Sequence, residues 1–395
     1  MTSRMPFSGR RRVSAALAFL AAGAFAAYTA LAEPRANELR ADHDYKGQVQ
    51  SVAFDRSGTA WVATRQGLYR VPEGERSQVV DVAAGKGDQF AVAPGGDIYA
   101  RLMTRGAPGG LFTVELIELR RRRIAELRLP EFPFGFGRLY LGGAGDLIVT
   151  ATPLDDPEGL GGDFLYVFWS REGQELSRVT LKGLRTGIVD AEGTALLLLG
   201  ENEAIAVSSR GEQLWKLDGN FRNGIVASNG TVALLNPAAT DSIDQVHVLR
   251  GGKVTTITMR SPVYELALAA DGSIGAVAID NGELFFVSPR SCDQSCELRT
   301  VAPLPVDGTF FVSAIRFVDS ETLAVGAIQR EGEAPRFSYP AGAAFAVSTS
   351  GRILFRTRIE LGQPATWGPS IDVSYDRGYF AAHTPQRALL VSLGR

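Results

Sequence analysis

The chain has 395 residues, 45% hydrophobic and 21% charged, which is the composition of a folded globular protein and excludes a disordered one. Lys and Arg number 41 against 43 Asp and Glu, a formal charge of -2, so no global field draws in nucleic acid or an anionic membrane. The 44 glycines exceed ordinary usage and point to many turns between short apolar runs, as in an all-β protein.

Residues 1–32 read as a targeting segment. Arg10, Arg11 and Arg12 give a positive start, and Val13 to Ala32 is apolar and Ala-rich. Ala30-Leu31-Ala32 ahead of Glu33-Pro34 fits cleavage after small residues. The apolar run is also long enough to span a bilayer as a retained anchor. Either outcome puts residues 33–395 outside the cytoplasm, periplasmic or secreted. Membrane contact follows only if the segment stays on.

Val49 to Val71, VQSVAFDRSGTAWVATRQGLYRV, reads as three short strands joined by two tight turns. Asp55 to Gly58 supplies the first turn, because Asp bonds its own backbone and Gly tolerates positive φ. The same strand, small turn, strand pattern recurs down the chain. Its turn positions are Gly58, Gly96, Gly145, Gly193, Gly230, Gly272, Glu321 and Gly378. Neighbouring positions lie between 37 residues (Gly193 to Gly230) and 57 residues (Glu321 to Gly378) apart. That brackets the period of a four-stranded propeller blade. Segments such as Phe168–Leu181, Val207–Leu217 and Val347–Ile359 supply the second half of each unit as a further hairpin. Residues 33–395 are therefore expected to form one all-β propeller of four-stranded antiparallel blades. Eight blades are expected, or seven if a weak unit merges with its neighbour. The last unit has only three strands before the chain ends, and Ala36 to Asp42 is expected to complete it and fasten the two ends together.

Cys292 and Cys296, in PRSCDQSCEL, are expected to form a structural disulfide, since an exported location permits one and the spacing suits a hairpin tip. The three histidines, His43, His247 and His383, are all remote in sequence from this pair, which argues against a metal site there.

Asp55-x-x-Gly58-Thr-Ala-Trp61-Val-Ala-Thr64-x-x-Gly67-Leu68-Tyr69-Arg70 resembles the repeat of two-component-regulator sensor propellers. Val207-SSRGEQLWKL is similar to repeats of the pyrroloquinoline-quinone type, and the units have a weaker likeness to WD-type repeats. The sensor resemblance implies a ligand-responsive propeller on the outer side of the membrane. Only four tryptophans, Trp61, Trp169, Trp215 and Trp367, are present, so the tryptophan docking ring of the quinone enzymes is missing.

In such a ring, links between blades and links from second to third strand emerge on one face. Three of the latter are long: Pro153–Asp163, Pro237–Gln245 and Arg330–Ala343. Long loops on an ordered scaffold tend to carry function. Aromatics placed on the same face are Phe90, Phe134, Phe136, Phe221, Tyr264, Phe310 and Trp367. They either offer contact area to a protein, peptide or carbohydrate ligand or wedge between blades. Polar residues at the starts of innermost strands are Gln50, Gln89, Arg138, Arg185, Asn223, Glu265 and Asp372. They line the channel mouth as solvated residues, or Asn223, Glu265 and Asp372 hold Ca2+ or another divalent cation for a lactonase or other hydrolase. Arg120 to Arg123 is expected to be a solvated turn on the opposite face. The reading that follows is an exported binding or scaffold module without a cofactor, with the metal-dependent hydrolase as the alternative.

Overall fold

The second strand of each predicted unit has almost no polar side, as in Ala195–Leu199, ALLLL. A strand apolar on both faces needs cover on both faces. The structure provides it in a ring. Leu196 and Leu198 pack toward Leu147, Tyr166 and Phe168 of the preceding sheet. Leu197 and Leu199 pack toward Val226, Ala233 and Leu235 of the following one.

The computed structural model describes residues 37–394 except 43–44, 56, 74, 84–88, 94–97, 105–111, 119–121, 129–137, 143–146, 155–161, 184–185, 191, 228, 281, 293–295, 301–309, 332–337, 360, 362–367 and 375–377. The apolar N-terminal segment lies outside the described residues. Among the described residues no helix is long and apolar enough to cross a membrane, and the helical content is one 3-10 turn, Pro289–Ser291.

Eight four-stranded antiparallel sheets follow one another. Their innermost strands are Val49–Phe54, Gln89–Val92, Arg138–Gly142, Thr186–Val189, Phe221–Ala227, Val263–Leu268, Phe310–Asp319 and Ser370–Ser374, numbered here as blades 1 to 8. Each innermost strand touches the next, and that of blade 8 touches that of blade 1, so the sheets close an eight-bladed propeller around a channel. Among the described residues an apolar cluster fills each of the eight gaps between blades. The expected count of eight is the observed one.

Blade 8 takes its outermost strand from the other end of the chain. Asn37–Asp42 runs antiparallel to Ala388–Ser392, from Asn37 opposite Ser392 to Asp42 opposite Ala388. Blades 8 and 1 also share polar ties. The Val49 N–H donates to the Pro385 carbonyl at 2.9 Å, and the Val52 N–H donates to Asp372 Oδ2 at 2.7 Å.

Where the structure describes them, turns from first to second strand are built as the sequence implies, while those at Gly96 and Gly145 lie outside the described residues. Asp55 accepts from the backbone N–H groups of Ser57 and Thr59 and from the Trp61 indole, and Gly58 sits at φ +83°. Asp190 does the same for Thr194 and Ala195. Cys292 and Cys296 are disulfide-bonded in the third-to-fourth-strand link of blade 6, with Cα atoms 4.3 Å apart.

Blades 3 and 4 approach backbone to backbone. A Cβ on Gly142 would lie 2.4 Å from the Gly193 carbonyl oxygen. Gly142→Ala is expected to lower unfolding stability by about 1–3 kcal/mol in denaturant melts, because neither backbone can retreat without disturbing its gap. Removing residues 33–42 bares the edge of Ala388–Ser392. The expected result is a lower melting temperature and greater aggregation, checked by calorimetry and light scattering. An unchanged melting temperature would mean that this pairing does not fasten the ring.

Candidate functional site: the channel mouth

The innermost strands share an irregularity. In four of them, among the described residues, register with the second strand slips by one residue near the strand start. Val49 faces Thr64 but Ser51 faces Ala63. Phe221 faces Pro237 but Asn223 faces Asn236. Val263 faces Ile279 but Glu265 faces Ala278. Val312 faces Ala327 but Ala314 faces Gly326. The extra residues are therefore Gln50, Arg222, Tyr264 and Ser313. A bulge re-aims side chains that strict alternation would send to opposite faces. Here it lets the neighbours Arg222 and Asn223, and likewise Tyr264 and Glu265, line one cavity.

That cavity, about 720 Å³, sits at the channel mouth between blades 4 and 7. Thr186 and Ile188 form one wall, Pro262 and Asp280 part of another, and Arg316 reaches it from blade 7. Arg222 is held from behind. Its Nε donates to Asn236 Oδ1 at 2.6 Å. Asn236 is fully buried, and its amide donates to the carbonyls of Ile243 at 3.0 Å and Gln245 at 2.7 Å. Asn236 thus couples Arg222 to the long second-to-third-strand link of blade 5. Arg316 Nη1 donates to the Ile315 carbonyl at 2.7 Å. Among the described residues neither guanidinium forms an ion pair.

Glu265 is partly buried in the same cavity. Burial pushes its carboxyl up to about 7, even though Arg316 and Arg222 pull it the other way. Tyr264 is 47% exposed on the rim. Its phenol is raised by burial first, then by Glu265, Tyr339 and Asp280. Tyr339 belongs to the long link of blade 7, so that link borders the mouth. The long link of blade 5 borders it too: the Val263 N–H donates to the Ile243 carbonyl at 2.9 Å.

Deeper in the channel a second cavity of about 230 Å³ is lined by Ser51, Val52, Asp190, Arg316 and Asp372 among others. There Asp372 is occupied by structure, accepting from Val52 N–H and lying 3.0 Å from His383 Nε2. The candidate set Asn223, Glu265 and Asp372 is therefore not brought together. The first two line the mouth and the third lies in the deeper cavity. Among the described residues no group of three or more His, Cys, Asp or Glu is placed to hold a metal ion.

Of the aromatics expected on this face, Tyr264 reaches the cavity. Phe221 does not: at 3% exposure it fills the gap between blades 4 and 5, edge-on to His247. Phe90 is likewise buried, between blades 1 and 2. Both act as wedges, because a bulky ring at the start of an innermost strand finds more contact in the gap than over the channel. Phe310 begins the innermost strand of blade 7, and its side chain, like Phe134, Phe136 and Trp367, lies outside the described residues. Arg120 and Arg121 lie outside them as well, while Arg123 is exposed beside Glu126 at 3.0 Å. Sequence reasoning passed over Arg222, Arg316, Asp280 and Tyr339. Arg222 was hidden by assuming unbroken alternation, and Arg316 by looking for mouth residues only at strand starts.

No protein-family model and no curated protein matches the chain. Solved structures do. The chain is similar to the C-terminal WD40 domain of Sif2, with a TM-score of 0.57 and 11% identity over 90% of this chain and 98% of that one. It is also similar to Sqt1 of Saccharomyces cerevisiae, with a TM-score of 0.56 and 11% identity over the same shares. At that identity the likeness shows the fold alone, a β-propeller. The sensor-type and quinone-type likenesses of single units find no counterpart in these two neighbours.

The raised Glu265 carboxyl gives a sign for pH dependence. The native state holds this proton above the usual carboxylate range, so folding loses stability as pH rises from about 4.5 through 7. Glu265→Gln is expected to melt higher than the parent at alkaline pH, by about 2–4 °C. Near the usual carboxylate range the two should converge. Scanning calorimetry at several pH values checks this, and a difference independent of pH would refute it.

Proposed function

We propose that the chain is an exported β-propeller serving as a binding or scaffold module of the cell envelope, with its partner, a protein or peptide, seated over the channel mouth. The observation that carries this reading is the mouth itself. A concave cavity is lined by Arg222, Asn223, Tyr264, Glu265 and Arg316, delivered by bulged strands on a rigid ring and bordered by the long links of blades 5 and 7. Preformed clefts with a few convergent polar groups are the usual form of a binding site. Export is supported by the character of residues 1–32 and by the disulfide, which belongs in an oxidising compartment.

The test begins with the full chain expressed in a bacterium carrying an outer envelope. The protein is expected in the periplasmic or secreted fraction with Glu33 as its first residue. Crosslinking from that fraction is expected to capture a partner that is lost from Tyr264→Asp and from a chain lacking residues 330–341, with melting temperatures retained. Recovery in the cytoplasm, or capture indifferent to both changes, would refute the reading.

A further inference from the structure

We propose that the mouth cavity is a carboxylate-binding site, in which Arg222 and Arg316 receive a carboxylate group of a peptide partner. This rests on the reading of the mouth as the binding face and names what the face recognises. Three features of the cavity carry it.

The first is the pair of cations. Two guanidiniums from different blades line one cavity, and among the described residues neither is neutralised by an ion pair. Arg222 is exposed and Arg316 half-buried, so both guanidiniums can reach an incoming anion. The second is preorganisation. Arg222 gives its Nε hydrogen to Asn236, which leaves its two terminal nitrogens as a fork. That fork matches the two oxygens of a carboxylate. The Asn236 amide is committed to two backbone carbonyls, so the arginine is held ready at little entropic cost on binding.

The third is the charge balance. The groups sharing the cavity with Glu265 are Arg222 from blade 5, Arg316 from blade 7, Asp280 from the end of the second strand of blade 6, and its neighbour Tyr264, whose phenol in turn feels Tyr339. With Glu265 and Asp280 ionised, two cations meet two anions, and an incoming carboxylate adds a third. One proton taken up by Glu265 restores the balance, and its carboxyl titrates at about 7. Binding of a negative charge therefore favours the protonated form of Glu265, with uptake of at most one proton, and affinity falls as pH rises through that range. The free end of the Arg222 fork matches the two oxygens of a planar carboxylate, which is why the site is assigned to carboxylate.

Calorimetric titration of the purified full chain, at about pH 6 and about pH 8, uses three probes. One is an acetylated neutral tripeptide with a free C-terminal carboxylate. The second is an acetylated, amidated tripeptide carrying a central Glu, and the third is inorganic phosphate. A carboxylate probe is expected to bind, more weakly at the higher pH, with roughly tenfold loss in Arg222→Ala and in Arg316→Ala. Glu265→Gln is expected to remove the pH dependence. Which carboxylate probe binds tells a chain terminus from an acidic side chain. Should an alanine variant fail to fold, Arg222→Lys and Arg316→Lys keep the charge but lose the fork, and weaker binding is again expected. The proposal is overturned if no carboxylate probe binds, if phosphate alone binds, or if binding is indifferent to both arginines. Partner capture that needs Tyr264 but neither arginine would refute the carboxylate site and leave the binding face standing. Carboxylate binding with no captured partner would do the reverse.

Discussion

Each sheet here is apolar on both faces, and among the described residues each of those faces is covered by another sheet of the same kind. That constraint shapes the molecule. A blade at the end of an open row would leave one face in water, so the row closes on itself, and each gap holds its own apolar cluster. The gap between blades 8 and 1 is filled like the rest, with Val49, Val52 and Phe54 against Ala381, Ala388 and Leu390. The cost of closure is local crowding. Gly142 lies against Gly193 where a Cβ would collide, and a Cβ on Gly326 would lie 2.5 Å from the Pro369 carbonyl oxygen.

Closure also decides where chemistry can sit. Second and third strands are buried almost throughout, as in Ala60–Thr64 and Leu147–Pro153, so polar side chains there need their own partners. Asn236, buried on a second strand, meets that demand with both carbonyls of its link and with Arg222. Innermost strands are different, because one end of each opens on the channel. The bulges exploit this freedom. Without the extra residue, Arg222 and Asn223 would alternate across the sheet, and one of the two would be driven into an apolar gap. With it, both reach the cavity and Phe221 still turns into the gap.

The fold was legible because its signals are local and repeated. Asp55–Gly58 is a turn on chemistry alone, and eight such turns at blade spacing leave few alternatives to a ring. The site was only half legible. Glu265, Asn223 and Tyr264 stand at strand starts and were found there. Arg222 was missed because a bulge is a property of register between two strands, invisible in either strand read alone. Arg316 was missed because its strand, Phe310–Asp319, runs for ten residues with two register shifts, which carry a mid-strand residue to the channel. Asp372 and Glu265 look equivalent in sequence, each in an innermost strand. They part company because His383 and the Val52 N–H claim Asp372, whereas no such partner lies in the sequence around Glu265.

A carboxyl beside two guanidiniums would ordinarily ionise more readily than usual. Glu265 does the opposite, because burial outweighs both arginines. A protein selected for stability alone would have no reason to keep it: Gln in its place would fill the same volume without the desolvation cost. The two arginines stand at the same mouth, Arg222 exposed and Arg316 half-buried, and among the described residues neither forms an ion pair. A carboxyl whose burial costs stability, beside an arginine held by a dedicated hydrogen bond to Asn236, is the arrangement that marks a candidate functional site. The channel mouth is where this molecule carries that cost, and that is the physical ground for the proposal that a partner sits there.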